Sequence, residues 1–288
     1  VTAGKNSDSA HAARKTKVFR AGAVPYLNVQ PLVWAFETGV VPAADGDGNP
    51  IDFAGVRPRE LAGRLHSGEF SVAIVPVFEY LRHPGYTIIP GAAIATRRDV
   101  GSVLLFSDTP LDEVSAVHLD PASLTSVNLL KAIFAEQGRR VDWREESPHS
   151  GSDASPLPPG AAQLLIGDPA LAATGHHRFA HDLGAMWFEL TGLPFVFAAW
   201  LVHPGARDAK LNRAFLAAKE AGLRNLESVA AERAGRFGFS PAFALRYFRE
   251  NLCYNLGREE ASGWSEFARL CVKHGLCPET PPLAFHDR

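Results

Sequence analysis

Three hydroxyl residues, Ser123, Thr125 and Ser126, follow a short apolar run, Val117-His118-Leu119, and the chain-breaking pair Asp120-Pro121. Leu129, Leu130, Ile133 and Phe134 then recur at helical spacing, so the hydroxyls fall at the start of a helix with one buried face. The first backbone N–H groups of a helix have no internal partner, and the helix dipole places partial positive charge there. A strand that runs into such a hydroxyl-rich helix start is an anion site in outline. The alternative is that Ser123 or Thr125 only caps the helix.

Asn28 is a second candidate. It follows the apolar run Val18 to Val24 and precedes a helix that opens at Pro31, where a strand gives way to a helix. Open α/β sheets bind ligands at such strand ends; an asparagine that merely turns the chain is the competing reading. Asp168 ends the apolar run Gln163–Ile166 within Gly167-Asp168-Pro169, and either faces a ligand or caps the helix begun at Pro169. His176, His177 and His181 form a loose cluster, but no recognisable motif supplies further ligands, so no metal site is expected there. Glu79, just past Pro76, faces either a cleft or the surface of a helix.

The elements that must hold these residues alternate. After the first strand and the helix Pro31–Thr38 comes a Gly/Asp/Pro loop at 43–50. A helix follows at Pro58–His66, then a continuously apolar strand at Phe70–Val75 closed by Pro76, and a short helix at Val77–Arg82. Ile88-Ile89-Pro90, Ala92–Ala95 and Ser102–Phe106 read as successive strand pieces. A second alternating unit comprises strand 115–119, helix 124–137, strand 140–143, a Ser/Pro/Gly loop at 147–160, strand 163–166 and a strand-like piece at 179–183. Phe195–Val202 is one more strand, and the rest is helical, with Ser240-Pro241 as a cap followed by proline at the first helical position. The expected architecture is α/β with two lobes. Residues 17–101 and 197–288 form a discontinuous first lobe and 102–196 an inserted second lobe, with Ser102–Phe106 and Phe195–Val202 as crossing strands and residues 1–16 as a disordered tail. A cleft between the lobes is the natural ligand site.

The chain has 288 residues, a formal net charge of −2 and 46% hydrophobic residues, values that suit a globular protein with a large core. No long basic block points to nucleic acid or an anionic membrane, and no apolar run approaches a membrane span. Three cysteines, near the C-terminus, do not suggest a disulfide framework, and with no signal-peptide core at the start a cytoplasmic location is expected.

Six segments together carry a family resemblance: PYLNVQPL at 25–32, RELAGRLHSGEFSVAIVPVFEYLR at 59–82, GSVLLFSDTPLDEV at 101–114, SLTSVNLL at 123–130, LLIGDPAL at 164–171 and DLGAMWFELTGLPFVFAAW at 182–200. As a set, in this order, they resemble the chorismate dehydratases of the futalosine route to menaquinone. The resemblance implies a periplasmic-binding-protein-like fold of the second type, a hinge and no cofactor. It implies dehydration of chorismate, a dicarboxylate, to 3-[(1-carboxyvinyl)oxy]benzoate, without indicating an oligomeric state. Carried over by residue, it places Asn28 and Ser102 in catalysis and Ser123, Thr125, Ser126, Pro76, Gly167 and Asp168 in substrate binding.

The sibling family that makes 1,4-dihydroxy-6-naphthoate shares the fold. It differs where this chain has Tyr26-Leu27-Asn28, and where Gly167-Asp168 stands in place of a catalytic histidine. A non-enzymatic solute-binding protein is the remaining alternative. A ligand-sensing transcription regulator would need a DNA-binding helix pair, for which the basic piece Arg14 to Arg20 is too short.

Overall fold

The structure, a computed structural model, describes residues 17–120, 123–145, 156–279 and 282–287. The expected N-terminal tail lies outside the described residues, as does most of the 147–160 loop.

In chain order the first part comprises β1 (Phe19–Ala23), α1 (Gln30–Glu37), β2 (Ile51–Gly55), α2 (Pro58–His66), β3 (Val72–Pro76), α3 (Phe78–Arg82) and β4 (Thr87–Thr96). The second comprises β5 (Val103–Ser107), β6 (Ala116–His118), α4 (Leu124–Glu136), β7 (Asp142–Arg144), β8 (Ala161–Ile166), α5 (Gly167–Ala173), β9 (Phe179–Asp182) and α6 (Leu183–Thr191). Then follow β10 (Phe195–Val202) and four helices, α7 (Asn212–Arg224), α8 (Leu226–Arg233), α9 (Pro241–Glu250) and α10 (Arg258–Lys273).

Two five-stranded mixed sheets result, in the orders β2-β1-β3-β10-β4 and β7-β6-β8-β5-β9. Their patterns match. Three parallel strands lie side by side in each, and the fourth position is an antiparallel strand that the chain enters from the other sheet: β10 in the first, β5 in the second. The α/β two-lobe architecture is as expected. The chain changes sheets at 97–102 and returns at 192–194, so the crossings flank β5 and β10, which each pair along their length within one sheet. The reason is hydrogen bonding: Phe195 already pairs with Thr96 in the first sheet, so it cannot also span the gap.

Two local features depart from the sequence reading. The strand β2 was not expected; it is an edge strand paired only to β1, its residues mostly part-exposed, so it lacks a continuous apolar signature. The pieces around Pro90 are one strand, β4. Proline is tolerated because β10 pairs with β4 in a shifted register there. The outer edge of β4 is covered by an Ala95–Cys253 bridge and by the Ile88–Phe285 bridge from the C-terminal segment, which protects it from pairing with another chain.

The crossings are held from two sides. The Asp182 carboxylate accepts hydrogen bonds from the N–H groups of Val100 (3.1 Å) and Gly101 (2.7 Å) on the outgoing crossing, and from Gly184 (2.8 Å) and Ala185 (3.1 Å) at the start of α6. At the return crossing Gly263 of α10 lies so close to the Pro194 carbonyl that an added Cβ would sit 1.9 Å from its oxygen, so only glycine fits. One large apolar core runs through both lobes, a second small cluster gathers Leu104, Phe106, Leu157, Leu165, Ala170 and Ala173 in the second lobe, and α4 packs on α3, α10 and β10. Among the described residues no helix is long and apolar enough to cross a membrane.

Candidate active site in the interlobe cleft

The C-terminal ends of the parallel strands of both sheets converge on a cleft that is partly open to solvent. The first lobe contributes Tyr26 and Asn28 after β1, Pro76 at the end of β3, and Phe197 and Ala198 of β10. The second contributes Ser123, Thr125 and Ser126 at the start of α4, with Ile166 and Gly167 at the end of β8. Among the described residues lining it none is Lys, Arg, His, Asp or Glu. An anion there must be met by helix-end N–H groups and neutral hydrogen-bond donors.

The α4 start provides them. The first helical hydrogen bond runs from Val127 N–H to the Ser123 carbonyl (3.1 Å), which leaves the N–H groups of residues 124–126 without a partner in the helix. Ser123 holds the cap position, yet its side chain makes no capping bond. Thr125 is also not a cap: its buried Oγ1 accepts from the Phe78 N–H across the lobes at 3.0 Å. The hydroxyl proton of Thr125 is therefore still available to donate.

Asn28 stands opposite. Its Oδ1 is buried and has no hydrogen-bond partner. Its carbonyl accepts from the Tyr254 hydroxyl at 3.0 Å, which fixes the backbone. Tyr247 donates to Ser102 Oγ at 2.7 Å. With the phenol proton committed to Ser102, Tyr247 does not donate to Asn28, and Oδ1 is left as an acceptor without a partner. Burial pushes both tyrosine hydroxyls well above their ordinary range, so they remain protonated donors.

Ser102 and Asp168 stand behind the lining rather than in it. Ser102 is buried at the end of the outgoing crossing, and its carbonyl accepts from the Gly167 N–H at 2.7 Å. Asp168 lies in the first turn of α5 without capping it; its Oδ1 accepts from the Leu27 N–H at 3.1 Å, tying the second lobe to the Tyr26-Leu27-Asn28 turn. Burial pushes its carboxyl up to about 6, against the opposing pull of that N–H. Gly167 adopts φ +63°, and a Cβ there would meet the Tyr26 ring at 3.1 Å, so the ring packs flat on the backbone. Burial, with Asp120 and Asp168 nearby, raises the Tyr26 phenol to about 12.

Tyr247, Tyr254 and Asp182 were not singled out from sequence. The two tyrosines lie among core aromatics with no distinguishing spacing; Asp182 carried a legible signal, an aspartate between a strand and a helix. None of His176, His177 and His181 lines the cleft, and His177 pairs with Asp108 at 3.2 Å. Glu79 is buried on α3 and also lies off the cleft.

The fold and the cleft define a two-lobe protein of the periplasmic-binding-protein type. A protein of Archaeoglobus fulgidus superposes with a TM-score of 0.70 at 16% identity, covering 91% of this chain and all of that one. The periplasmic aliphatic sulphonate binding protein of Escherichia coli superposes with a TM-score of 0.63 at 14% identity, covering 93% and 96%. The sequence matches the family described as menaquinone biosynthesis over residues 19–273, and the chain belongs to that family. It is 34% identical over 230 residues to the chorismate dehydratase of Thermus thermophilus, an alignment that covers 73% of this chain and 83% of that protein.

Proposed function

We propose that the chain is a chorismate dehydratase, which removes water from chorismate to give 3-[(1-carboxyvinyl)oxy]benzoate for the futalosine route to menaquinone. Family membership and the relative from Thermus thermophilus support the activity, and the motif resemblance supports the route. The observation that carries the site is the facing pair across the cleft: an unsatisfied acceptor, Asn28 Oδ1, opposite the free N–H groups of α4.

In this reading the ring carboxylate of chorismate sits at the α4 start, held by the N–H groups of residues 124–126 and the hydroxyls of Thr125, Ser126 and Ser123. The proton lost comes from the ring carbon that bears the enolpyruvyl ether. The electron pair left behind is conjugated through the ring alkene to that carboxylate, and fixed donors there stabilise the developing charge. The lining offers no base, so the carboxylate of the enolpyruvyl arm takes the proton, a step that requires positioning rather than a titrating side chain. The neighbouring carbon then expels hydroxide, the ring becomes aromatic, and proton and hydroxide leave as water.

Asn28 Oδ1 accepts from the departing hydroxyl and sets its orientation. Ser102 acts from behind, held by the Tyr247 hydroxyl. Asp168, Gly167 and Pro76 shape the floor, with Asp168 holding the Asn28 turn through Leu27. No cofactor enters these steps. The free thiols Cys253, Cys271 and Cys277 suit a reducing, cytoplasmic setting.

Incubation of the purified chain with chorismate, followed by absorbance and mass analysis, tests the proposal. Formation of the aromatic ether is expected. Chorismate recovered unchanged by well-folded protein would leave a solute-binding role. The 1,4-dihydroxy-6-naphthoate activity is disfavoured because Gly167 occupies the strand end where that reaction needs a histidine.

A further inference from the structure

Away from the cleft, α2 and α3 bring together two histidines and a glutamate. Glu79 is in the first turn of α3, and His83 ends the same helix four residues on, so the two share a face. His66 is the last residue of α2. Suitable ligand atoms of His66, Glu79 and His83 lie within 4.8 Å of one another, and none of the three lines the substrate cleft.

The carboxylate is poorly served as it stands. Glu79 is only 2% exposed, yet His83 Nε2 is 3.6 Å away and the nearest guanidinium nitrogen of Arg82 is 3.9 Å away, both too far for good hydrogen bonds. Arg82 is half exposed and free to turn outward. The Tyr86 hydroxyl contacts His66 Nδ1 at 3.4 Å. The imidazoles of His66 and His83 face each other with centroids 4.0 Å apart and planes tilted by 31°. A buried carboxylate, two imidazoles and a phenol as outer partner are the donor set of a zinc-type cation.

We propose that His66, Glu79 and His83 bind one divalent transition-metal ion, of the zinc class, that staples the C-terminal end of α2 to α3. Ligands of tetrahedral zinc stand roughly 3.4 Å apart, given metal–ligand distances near 2.1 Å. The Glu79–His83 separation already meets that spacing, and the exposed His66 ring closes the set by side-chain rotation. Tyr86 orients His66 from behind, water completes the coordination, and the ion adds positive charge beside the buried carboxylate. Its role is structural, because no ligand reaches the cleft.

Zinc titration of the tag-free full chain by calorimetry, with metal content by mass spectrometry and melting temperature in parallel, tests this. One zinc per chain at micromolar affinity is expected, with a raised melting temperature. His66→Ala, at an exposed position, and Glu79→Gln should each weaken zinc binding at least about 100-fold and abolish the zinc-dependent rise. Chorismate turnover by His66→Ala should match the parent. No zinc uptake by the parent at micromolar metal would overturn the proposal. So would uptake that survives His66→Ala unchanged, which would place the ion on Cys271 and Cys277 or another surface group.

Discussion

The Tyr247 hydroxyl donates to Ser102 Oγ at 2.7 Å, joining the C-terminal helix α9 to the end of the outgoing crossing, 145 residues earlier in the chain. Because that proton is committed, Tyr247 does not donate to Asn28, whose buried Oδ1 has no hydrogen-bond partner. Tyr247→Phe removes the donor to Ser102 at a buried position beside Asn28. A stability loss of about 1–3 kcal/mol is expected from the unsatisfied groups left behind. The turnover number should fall more than KM rises, since ground-state carboxylate binding at α4 is untouched. Chemical denaturation and steady-state kinetics on one variant separate the two; an unchanged turnover number would remove the network from catalysis.

Asn28 contributes little to folding through its side-chain oxygen, which has no protein partner. Asn28→Ala should cut turnover strongly while the melting temperature stays near the parent's. Asn28→Asp keeps the size but brings negative charge toward a dianionic substrate, so turnover should also fall. A faster Asn28→Asp variant would mean that the added carboxylate acts as a base, contradicting proton removal by the substrate's own arm.

Asp168 predicts a pH effect of definite sign. Its carboxyl is raised from an ordinary 3.8 to about 6 by burial. The folded chain therefore binds this proton more tightly than the unfolded one, and the group disfavours the folded state increasingly as pH rises from about 4 to about 6. Below that window the penalty is absent; above it the penalty is full, on the order of 3 kcal/mol at most. Asp168→Asn keeps an acceptor for the Leu27 N–H and removes the ionisation. The variant should gain stability relative to the parent between pH 4 and pH 7. Product affinity of the parent should decline over the same range while that of the variant stays level. Parallel melting curves for the two proteins, flat in their difference, would rule this out.

The Phe78 N–H to Thr125 Oγ1 bond spans the lobes beside the ligand site. Thr125→Val preserves shape but orphans a buried N–H, whereas Ser126→Ala removes only a cleft hydroxyl. Thr125→Val should both lower stability by about 1–3 kcal/mol and weaken product binding, and Ser126→Ala should chiefly weaken binding. Small-angle scattering should show a less compact free form for Thr125→Val, opening about residues 97–102 and 192–194. Equal compactness in both variants, with and without product, would argue against lobe closure at this bond.

Chelation separates the cleft from the His66–Glu79–His83 cluster. Exhaustive removal of divalent metal should leave chorismate turnover intact while lowering the melting temperature of zinc-loaded protein. Turnover that disappears and returns only with metal would place an ion in the reaction.

The amino-acid sequence by itself determined most of the scaffold. Continuous apolar runs such as 72–75 and 195–202 bury both faces, and proline and glycine punctuation at Pro58, Pro76, Gly192 and Pro241 marks where elements start and stop. The hydroxyl cluster at 123–126 and Asn28 were legible too, because a helix start or a strand end dictates its own free hydrogen-bonding groups. What lies outside local periodicity was decided by tertiary structure. The strand 51–55 exists through pairing with β1 at an edge. The place where the chain changes sheets was set by hydrogen-bond register, not by hydrophobicity. The partners of Asn28, Ser102, Thr125 and Asp168 come from residues 47 to 226 positions away, namely Tyr254, Tyr247, Phe78 and Leu27. Buried polar groups must be satisfied by whatever the packing brings near them, and spacing along the chain carries no record of that.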